Sequence, residues 1–416
     1  MIARKWIAVM SGALMLAGCG GRTTGVMAPS AAVAPPPGAS TVEMIVATTR
    51  SPASAAEMFS GERGDDLAFA DVAVSVPPDS ARKIGDVQWP SRLPGDPAKE
   101  FVTLRAKRLE PEQAKKLFHE KIARTKRAQA LVFVHGYNTR FEEAVYRFAQ
   151  IVHDSGAPVT PVLFTWPSRG RLLAYNYDRE AANYSRDALE MMLQRMAHNP
   201  EVGEISILAH SMGNWVTLEA LRQMAIRDKH IASKIKSVML AAPDVDFDVF
   251  RRQIAQMGEP RPRFTLFVSQ DDDALAASAR IGGGQARLGM VDPKIEPYRS
   301  ALEKAKLDVV DLTDIKSSDS INHGKFAQAP QVVQSIGRRL ADGQTLHDGK
   351  AGVGEKIGQV AVGAASAAGR AAGVVVSAPL AVVDERTREG SATQIEQIGS
   401  DIGGSAGAAA GVATLR

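Results

Sequence analysis

One stretch carries residue types suited to covalent chemistry: Ala209-His210-Ser211-Met212-Gly213, set between the apolar run Ile205-Ser206-Ile207-Leu208 and a helical pattern that resumes at Trp215. It reads as a strand, a sharp turn at Ser211 and a helix. Such a turn crowds the backbone, so only small residues fit two places before and two places after the serine, and Ala209 and Gly213 meet that demand. The hydroxyl is then held out at a helix N-terminus, where backbone N–H groups stabilise an anion. A serine hydroxyl alone is a weak nucleophile. To attack a carbonyl it needs a neutral imidazole to take its proton, a carboxylate to hold that imidazole in the right tautomer, and preorganised donors for the oxyanion that forms.

The elements that must bring those partners together alternate in type. Val42 to Thr49, Leu67 to Val76 and Phe101 to Ala106 read as strands, and Lys115 to Arg124 as a short amphipathic helix. Ala130-Leu131-Val132-Phe133-Val134 is continuously apolar, as a parallel strand buried on both faces should be, and it empties into His135-Gly136-Tyr137-Asn138. Phe141, Ala144, Val145, Phe148, Ile151 and Val152 then recur at helical spacing, Pro161 to Thr165 gives another buried strand, and Leu172 to Met196 a long helix. After the serine strand and its helix come strands at Val238 to Ala242, Phe264 to Val268 and Leu307 to Leu312, and a closing helix from Pro330 to Leu340. This order predicts an α/β fold with a mostly parallel sheet, helices on both faces, and a site at the C-terminal ends of the strands.

Composition narrows the class. The chain has 416 residues, 45% of them hydrophobic, which is enough for at least one large core. Its 50 basic and 46 acidic side chains nearly balance, and Arg4 and Lys5 sit in an apparent leader, so nucleic acid is not the expected partner. Residues 1–19 read as an export signal, with Arg4 and Lys5 before an apolar stretch from Ile7 to Leu16 that is short for a bilayer. It ends in Leu16-Ala17-Gly18-Cys19, which resembles the bacterial lipobox, in which the cysteine becomes the acylated first residue. Cys19 is the single cysteine of the chain, so no internal disulfide can form. Residues 20–40, rich in Ala, Pro, Gly, Ser and Thr, read as a flexible tether, residues 41–340 as the catalytic domain, and residues 341–416 as a low-complexity extension of Gly, Ala, Ser and Val. Within that extension the small residues of the apolar run 360–383 recur at intervals that would let helices pack closely in a membrane, but Gly/Ala sequence has little side chain to bury, which favours a disordered or loosely helical extension.

Ala-His-Ser-Met-Gly resembles the G-x-S-x-G nucleophile elbow of the α/β-hydrolase superfamily, with alanine for the first glycine. Together with Phe133-Val134-His135-Gly136-Tyr137-Asn138, Thr165-Trp166-Pro167-Ser168 and Ala241-Ala242-Pro243-Asp244-Val245-Asp246, it is similar to a family of bacterial esterase- or lipase-like α/β-hydrolases described only as a domain of unknown function (DUF900). The likeness runs from about residue 41 to about residue 340. It implies the α/β-hydrolase fold and a serine-hydrolase site but no particular substrate.

In that fold the order along the chain is serine, acid, histidine. Three histidines follow Ser211: His230 at a charged helix end, His347 in the glycine-rich extension, and His323 in Ser320-Ile321-Asn322-His323-Gly324 after the last strand, which makes His323 the base. Two acidic clusters compete for the third role, Asp244, Asp246 and Asp248 after one strand and Asp271, Asp272 and Asp273 after the next. The family pattern of a serine, two residues and Asp-x-Ala-Leu implies Asp272, with Asp246 as the alternative. The resemblance also implies an oxyanion hole from the backbone N–H groups of Met212 and Tyr137. His135 and His210 read as structural, and Trp166 with Tyr137 as possible lining of an acyl pocket. The histidines lack metal-site spacing, Gly282-Gly283-Gly284 lacks the continuation of a phosphate loop, and no cofactor is expected.

The expected activity is therefore hydrolysis of a small carboxylic ester through a Ser211-His323-Asp272 triad and an acyl-enzyme. An acyltransferase or amidase on the same fold, or a non-catalytic envelope scaffold, are the alternatives. The expected location is the bacterial cell envelope, anchored through lipidated Cys19 and facing the periplasm, with the outer membrane favoured over the inner.

Overall fold

The computed structural model describes residues 23–30, 34–316 and 319–341. Cys19 with the rest of the leader, and the run 360–383, lie outside the described residues.

The strands are β1 (Ser40–Pro52), β2 (Phe59–Val76), β3 (Val102–Leu109), β4 (Gln129–Val134), β5 (Thr160–Thr165), β6 (Glu204–His210), β7 (Ile235–Ala241), β8 (Arg263–Val268) and β9 (Asp308–Asp311). The helices are α1 (Pro111–Ile122), α2 (Phe141–Ser155), α3 (Tyr175–His198), α4 (Gly213–Asp228), α5 (Phe247–Met257), α6 (Asp273–Ile281), α7 (Tyr298–Lys304), α8 (Lys325–Gln328) and α9 (Pro330–Ala341). One nine-stranded sheet runs in the order β3-β2-β1-β5-β4-β6-β7-β8-β9. From β1 through β5 to β9 the neighbours are parallel, whereas β2 and β3 fold back antiparallel on the β1 edge.

The sheet is buried on both sides because its central strands alternate between two cores. Val132, Val134, Ile207 and Ala209 face the core under α3, α4 and α5. Leu131, Phe133 and Leu208 face the core under α2 and α9. That explains why β4 reads as an unbroken apolar run: each alternate residue has a hydrophobic partner on its own side. From β4 the chain passes through α2 to β5 on one side and later returns to β6 on the other. The strand order reverses there, so the loops after β4 and β6 open a crevice at their C-terminal ends, the usual place for a ligand in such a sheet.

Two expectations need correction. The segment 20–40 is not a tether along its whole described length, because Val26 and Met27 are buried in the second core. Thr23 Oγ1 donates to Pro90 O at 2.6 Å and Ser30 N to Thr103 O at 3.0 Å, so this stretch is fastened beside β3. Small-residue composition hid two well-buried apolar side chains. Trp166 does not line an acyl pocket either. It is fully buried, its Nε1 donates to His135 O at 2.9 Å, and its ring stacks on His135 with centroids 5.0 Å apart.

Candidate active site

Ser211 occupies the turn between β6 and α4 with φ 52°, a left-handed conformation that a non-glycine residue adopts only when its surroundings enforce it. Here the enforcement is visible. Ser211 O accepts from Asn214 N at 3.1 Å, Asn214 Nδ2 at 2.9 Å and Asp244 N at 3.2 Å, while Ser211 N donates to Ala241 O at 3.0 Å. The carbonyl is thereby clamped by three donors and the turn is fixed through its backbone.

Two glycines are required by close approach. A Cβ on Gly136 would lie 2.7 Å from Ser211 Cβ, and a Cβ on Gly213 would lie 2.4 Å from His135 O. The loop after β4 thus packs directly against the serine turn, Gly136 making room for Ser211 and His210 and Gly213 for the carbonyls of Val134 and His135. Among the described residues, the backbone N–H groups of Tyr137 and Met212 have no protein acceptor. That is the state expected of two donors left open for an anion at a helix N-terminus.

His323 lies in the loop between β9 and α8. Its Nδ1 is 2.7 Å from Asp272 Oδ2, and Asp272 is fully buried. The other carboxylate oxygen, Oδ1, accepts from Leu275 N at 2.9 Å and caps α6, so the acid is fixed from both sides. A carboxylate accepting from Nδ1 leaves Nε2 of the neutral ring free to act as base. Burial pulls the His323 pKa down, but the hydrogen bond and charge of Asp272, with smaller help from Asp244 and Asp319, raise it overall above the ordinary 6.5.

The loop carrying His323 is braced at several points. Lys325, itself buried, donates to Asp271 Oδ1 and Oδ2, both at 2.8 Å, and to the carbonyls of Leu312 at 3.0 Å and Thr313 at 2.9 Å. Asp319 accepts from Gly324 N at 2.6 Å and from Ile321 N at 3.1 Å. Asn322 takes φ 57° and its Nδ2 donates to Asp271 O at 3.3 Å. Lys325 and Asp271 therefore tie the histidine loop to the loop that carries the acid.

His210 immediately precedes Ser211 and links it to the base. Its ring stacks on Phe326 at 4.6 Å, tilts against His323 at 4.7 Å, and its Nε2 lies 3.2 Å from His323 O. Burial, and then the neighbouring charge of His323, hold its pKa well below 6.5, so it stays neutral. His135 is also neutral, pushed down to about 3 by burial and the Arg50 charge. Its Nε2 accepts from Trp166 N at 3.1 Å and its Nδ1 donates to Gly136 O at 2.8 Å, so both ring nitrogens are committed. Both rings are thus neutral and held by neighbouring groups.

Two buried charges that sequence reasoning missed hold the loops after β4 and β5. Arg50 donates to Ser168 O at 2.8 Å, Thr139 O at 2.8 Å, Ser60 O at 3.0 Å and Thr165 Oγ1 at 2.8 Å. Burial lowers its pKa to about 10, still far above neutrality. Asp178, fully buried at the start of α3, accepts from Asn138 N at 3.1 Å, Ser168 Oγ at 2.5 Å and Arg169 N at 3.0 Å. The only sequence signal was weak: an arginine ending an apolar strand and an aspartate on an inward helix face.

The other acidic cluster has different partners. Asp246 caps α5, its Oδ1 accepting from Asp248 N at 2.9 Å and Val249 N at 3.1 Å. Asp244 accepts from Ser278 Oγ at 2.5 Å and Tyr175 Oη at 3.1 Å and pairs with Arg287 Nε at 3.4 Å. Asp273 is the first residue of α6, beside the capping Asp272. Among the described residues, Asp272 alone of the two clusters has an imidazole as hydrogen-bond partner.

A family model described as alpha/beta hydrolase of unknown function (DUF900) matches residues 110–339. An uncharacterized protein from Nostoc sp. is 22% identical over 232 residues, which make up 44% of this chain and 59% of that relative, so the match spans under two thirds of the relative's length. Among solved structures, an esterase from Rhizomucor miehei is 14% identical with TM-score 0.31, covering 74% of this chain and 86% of that one. The siderophore hydrolase EstB from Aspergillus nidulans is 13% identical with TM-score 0.34, covering 75% and 97%. Carboxyl esterase 2 from Tuber melanosporum is 12% identical with TM-score 0.33, covering 76% and 89%. Overlaps this loose place no residue of the site.

Proposed function

Because the chain belongs to the family of α/β-hydrolases of unknown function, we propose that it is a serine hydrolase that cleaves carboxylic esters through an acyl-enzyme. The observation that carries this reading is the pairing of His323 Nδ1 with buried Asp272 at 2.7 Å, on a loop that packs against the residue preceding Ser211.

In the acylation step His323 Nε2 takes the Ser211 proton as Oγ attacks the carbonyl carbon, and the carbonyl oxygen becomes an oxyanion facing the N–H groups of Met212 and Tyr137. Collapse breaks the ester C–O bond, and the imidazolium returns its proton to the leaving alcohol. Water then repeats the sequence: His323 takes a proton from it, hydroxide adds to the acyl carbon, and the proton passes to Ser211 Oγ as the acid is released. Asp272 remains ionised throughout and stabilises the imidazolium.

Localisation belongs to the same proposal. Leu16-Ala17-Gly18-Cys19 would place the enzyme on the periplasmic side of the envelope through acylated Cys19. Among the described residues no helix is long and apolar enough to cross a membrane.

The test is turnover of p-nitrophenyl esters of increasing chain length by the parent chain and by Ser211→Ala. Ester hydrolysis should be lost in the variant while its thermal midpoint stays close to the parent's, because the side chain sits at a turn set by backbone bonds. Turnover near the parent rate in Ser211→Ala would overturn the assignment, and transfer to an added alcohol or amine outcompeting water would make the enzyme a transferase.

A further inference from the structure

The two most exposed large apolar side chains among the described residues are consecutive. Leu172 is 68% and Leu173 83% exposed, in the single helical turn Leu172–Ala174 that leads into α3. Single exposed leucines are ordinary on protein surfaces, but an adjacent pair held by the loop that packs on the Ser211 turn is not.

The position of this turn is built, not incidental. Tyr137 Oη donates to Leu172 O, and Tyr137 is the residue after Gly136, which packs against Ser211. Ala174 N donates to Arg171 O at 3.0 Å and closes the turn. The Tyr137 ring meets Tyr175 edge-on at 5.2 Å, and Tyr175 Oη reaches Ser278 Oγ at 3.0 Å. That contact brings in the end of α6, where Ile281 is also exposed, one turn beyond Ser278. Exposed Ile321 stands two residues before His323. Leu172, Leu173, Ile281 and Ile321 are thus exposed apolar side chains on segments that lead to or from the site.

Charge beside the pair selects the partner. Arg169 is neutralised by Glu62, at 2.9 Å from each carboxylate oxygen. Arg171 is exposed and has no acidic partner among the described residues. A free guanidinium directly before two protruding leucines matches a lipid interface, where the cation meets head-group phosphate and the leucines enter the acyl layer.

We propose that Arg171, Leu172 and Leu173 form a docking element for an anionic lipid surface, which sets the mouth beside Ser211 against the membrane so that an acyl substrate enters from the lipid phase. Surface binding stands on the exposed turn alone; entry of the substrate rests on the esterase reading. The two can therefore fail separately.

Because Cys19 is the single cysteine, the full chain carrying Cys19→Ala and Leu173→Cys takes one environment-sensitive dye at the turn. A second version carrying Cys19→Ala and Ile226→Cys places the same dye near the far end of α4, an exposed position about 20 Å along the helix from the serine turn. Vesicles of phosphatidylcholine with phosphatidylglycerol should blue-shift the dye at 173 and expose it to lipid-borne quencher, and leave the dye at 226 unchanged. In the Cys19→Ala background, Leu172→Ser with Leu173→Ser should weaken vesicle partitioning about tenfold, with an unchanged thermal midpoint. Equal responses at 173 and 226, no response at 173, or partitioning unaffected by the double substitution would overturn the proposal. So would shielding of the dye at 173 with rising protein concentration in the absence of vesicles, which would assign the turn to a second copy. Fluorophosphonate labelling of the same samples reports the esterase reading independently of vesicle binding.

Discussion

Two acidic clusters stand at the ends of neighbouring strands, Asp244, Asp246 and Asp248 after β7 and Asp271, Asp272 and Asp273 after β8. As sequence they are near equivalents. As structure they divide the labour: the first caps α5 and holds Arg287, Ser278 and Tyr175, whereas the second supplies an imidazole partner and a lysine clamp. The difference is which loop comes to meet them. Asp272 faces the loop after β9, which returns with His323, while Asp244 and Asp246 face α3, α6 and the segment holding Arg287. A carboxylate's role here is set by the neighbour the topology delivers, not by its own local sequence.

The largest effect expected from breaking this division is at Asp272. In Asp272→Asn the amide oxygen can still cap α6 through Leu275 N, so the fold should persist, but an N–H group now faces His323 Nδ1. That favours the tautomer with the proton on Nε2, the nitrogen needed as base, and kcat should fall by about 10⁴. Steady-state turnover with unchanged circular dichroism checks it. The same contact fixes a pH dependence. Because the His323 pKa is raised above 6.5, the base is lost to protonation as pH falls, so kcat/KM should drop tenfold per pH unit below an apparent value higher than 6.5 and level off above it.

A smaller, differently typed effect is expected at Asp244. Asp244→Ala removes the carboxylate partner of buried Arg287 and one acceptor of the Ser278 and Tyr175 hydroxyls, which keep each other, a loss of about 3 kcal/mol in denaturant unfolding. Turnover per folded molecule should change less than tenfold. A fall of about 10⁴ there, with Asp272→Asn near the parent, would reverse the roles of the clusters. Smallest is Asp246→Ala, which removes the cap of α5 and should cost about 1 kcal/mol with turnover within a few-fold of the parent.

The parts of the site that were legible in the sequence are those whose chemistry constrains local composition. Ala209 and Gly213 around Ser211, the uninterrupted β4 run and the His-Gly loop all follow from crowding or burial that admits few residue types. His323 stood out because so few histidines follow the serine. The clamps were illegible because their signal is long-range. Arg50 and Asp178 look like surface charges until the chain folds and surrounds them with carbonyls, N–H groups and hydroxyls contributed from distant segments. Likewise β2 extends back to Phe59 through a polar stretch, Ser60 to Asp66, that has no alternation to reveal a strand, since its pairing with the end of β1 supplies the order. Trp166 sits at a strand end, where local sequence cannot tell a pocket wall from a core side chain; its bond to His135 O decides for the core.

The central claim is that Ser211 is a nucleophile activated by His323 and Asp272. Its most direct measurement is reaction of the purified full chain with a fluorophosphonate at neutral pH, followed by peptide mapping of the phosphonylated residue. The account predicts a single adduct on Ser211, formed far more slowly in Asp272→Asn and at an undiminished rate in Asp246→Ala. An unlabelled protein, an adduct on another residue, or labelling of Ser211 that is indifferent to Asp272 would contradict it.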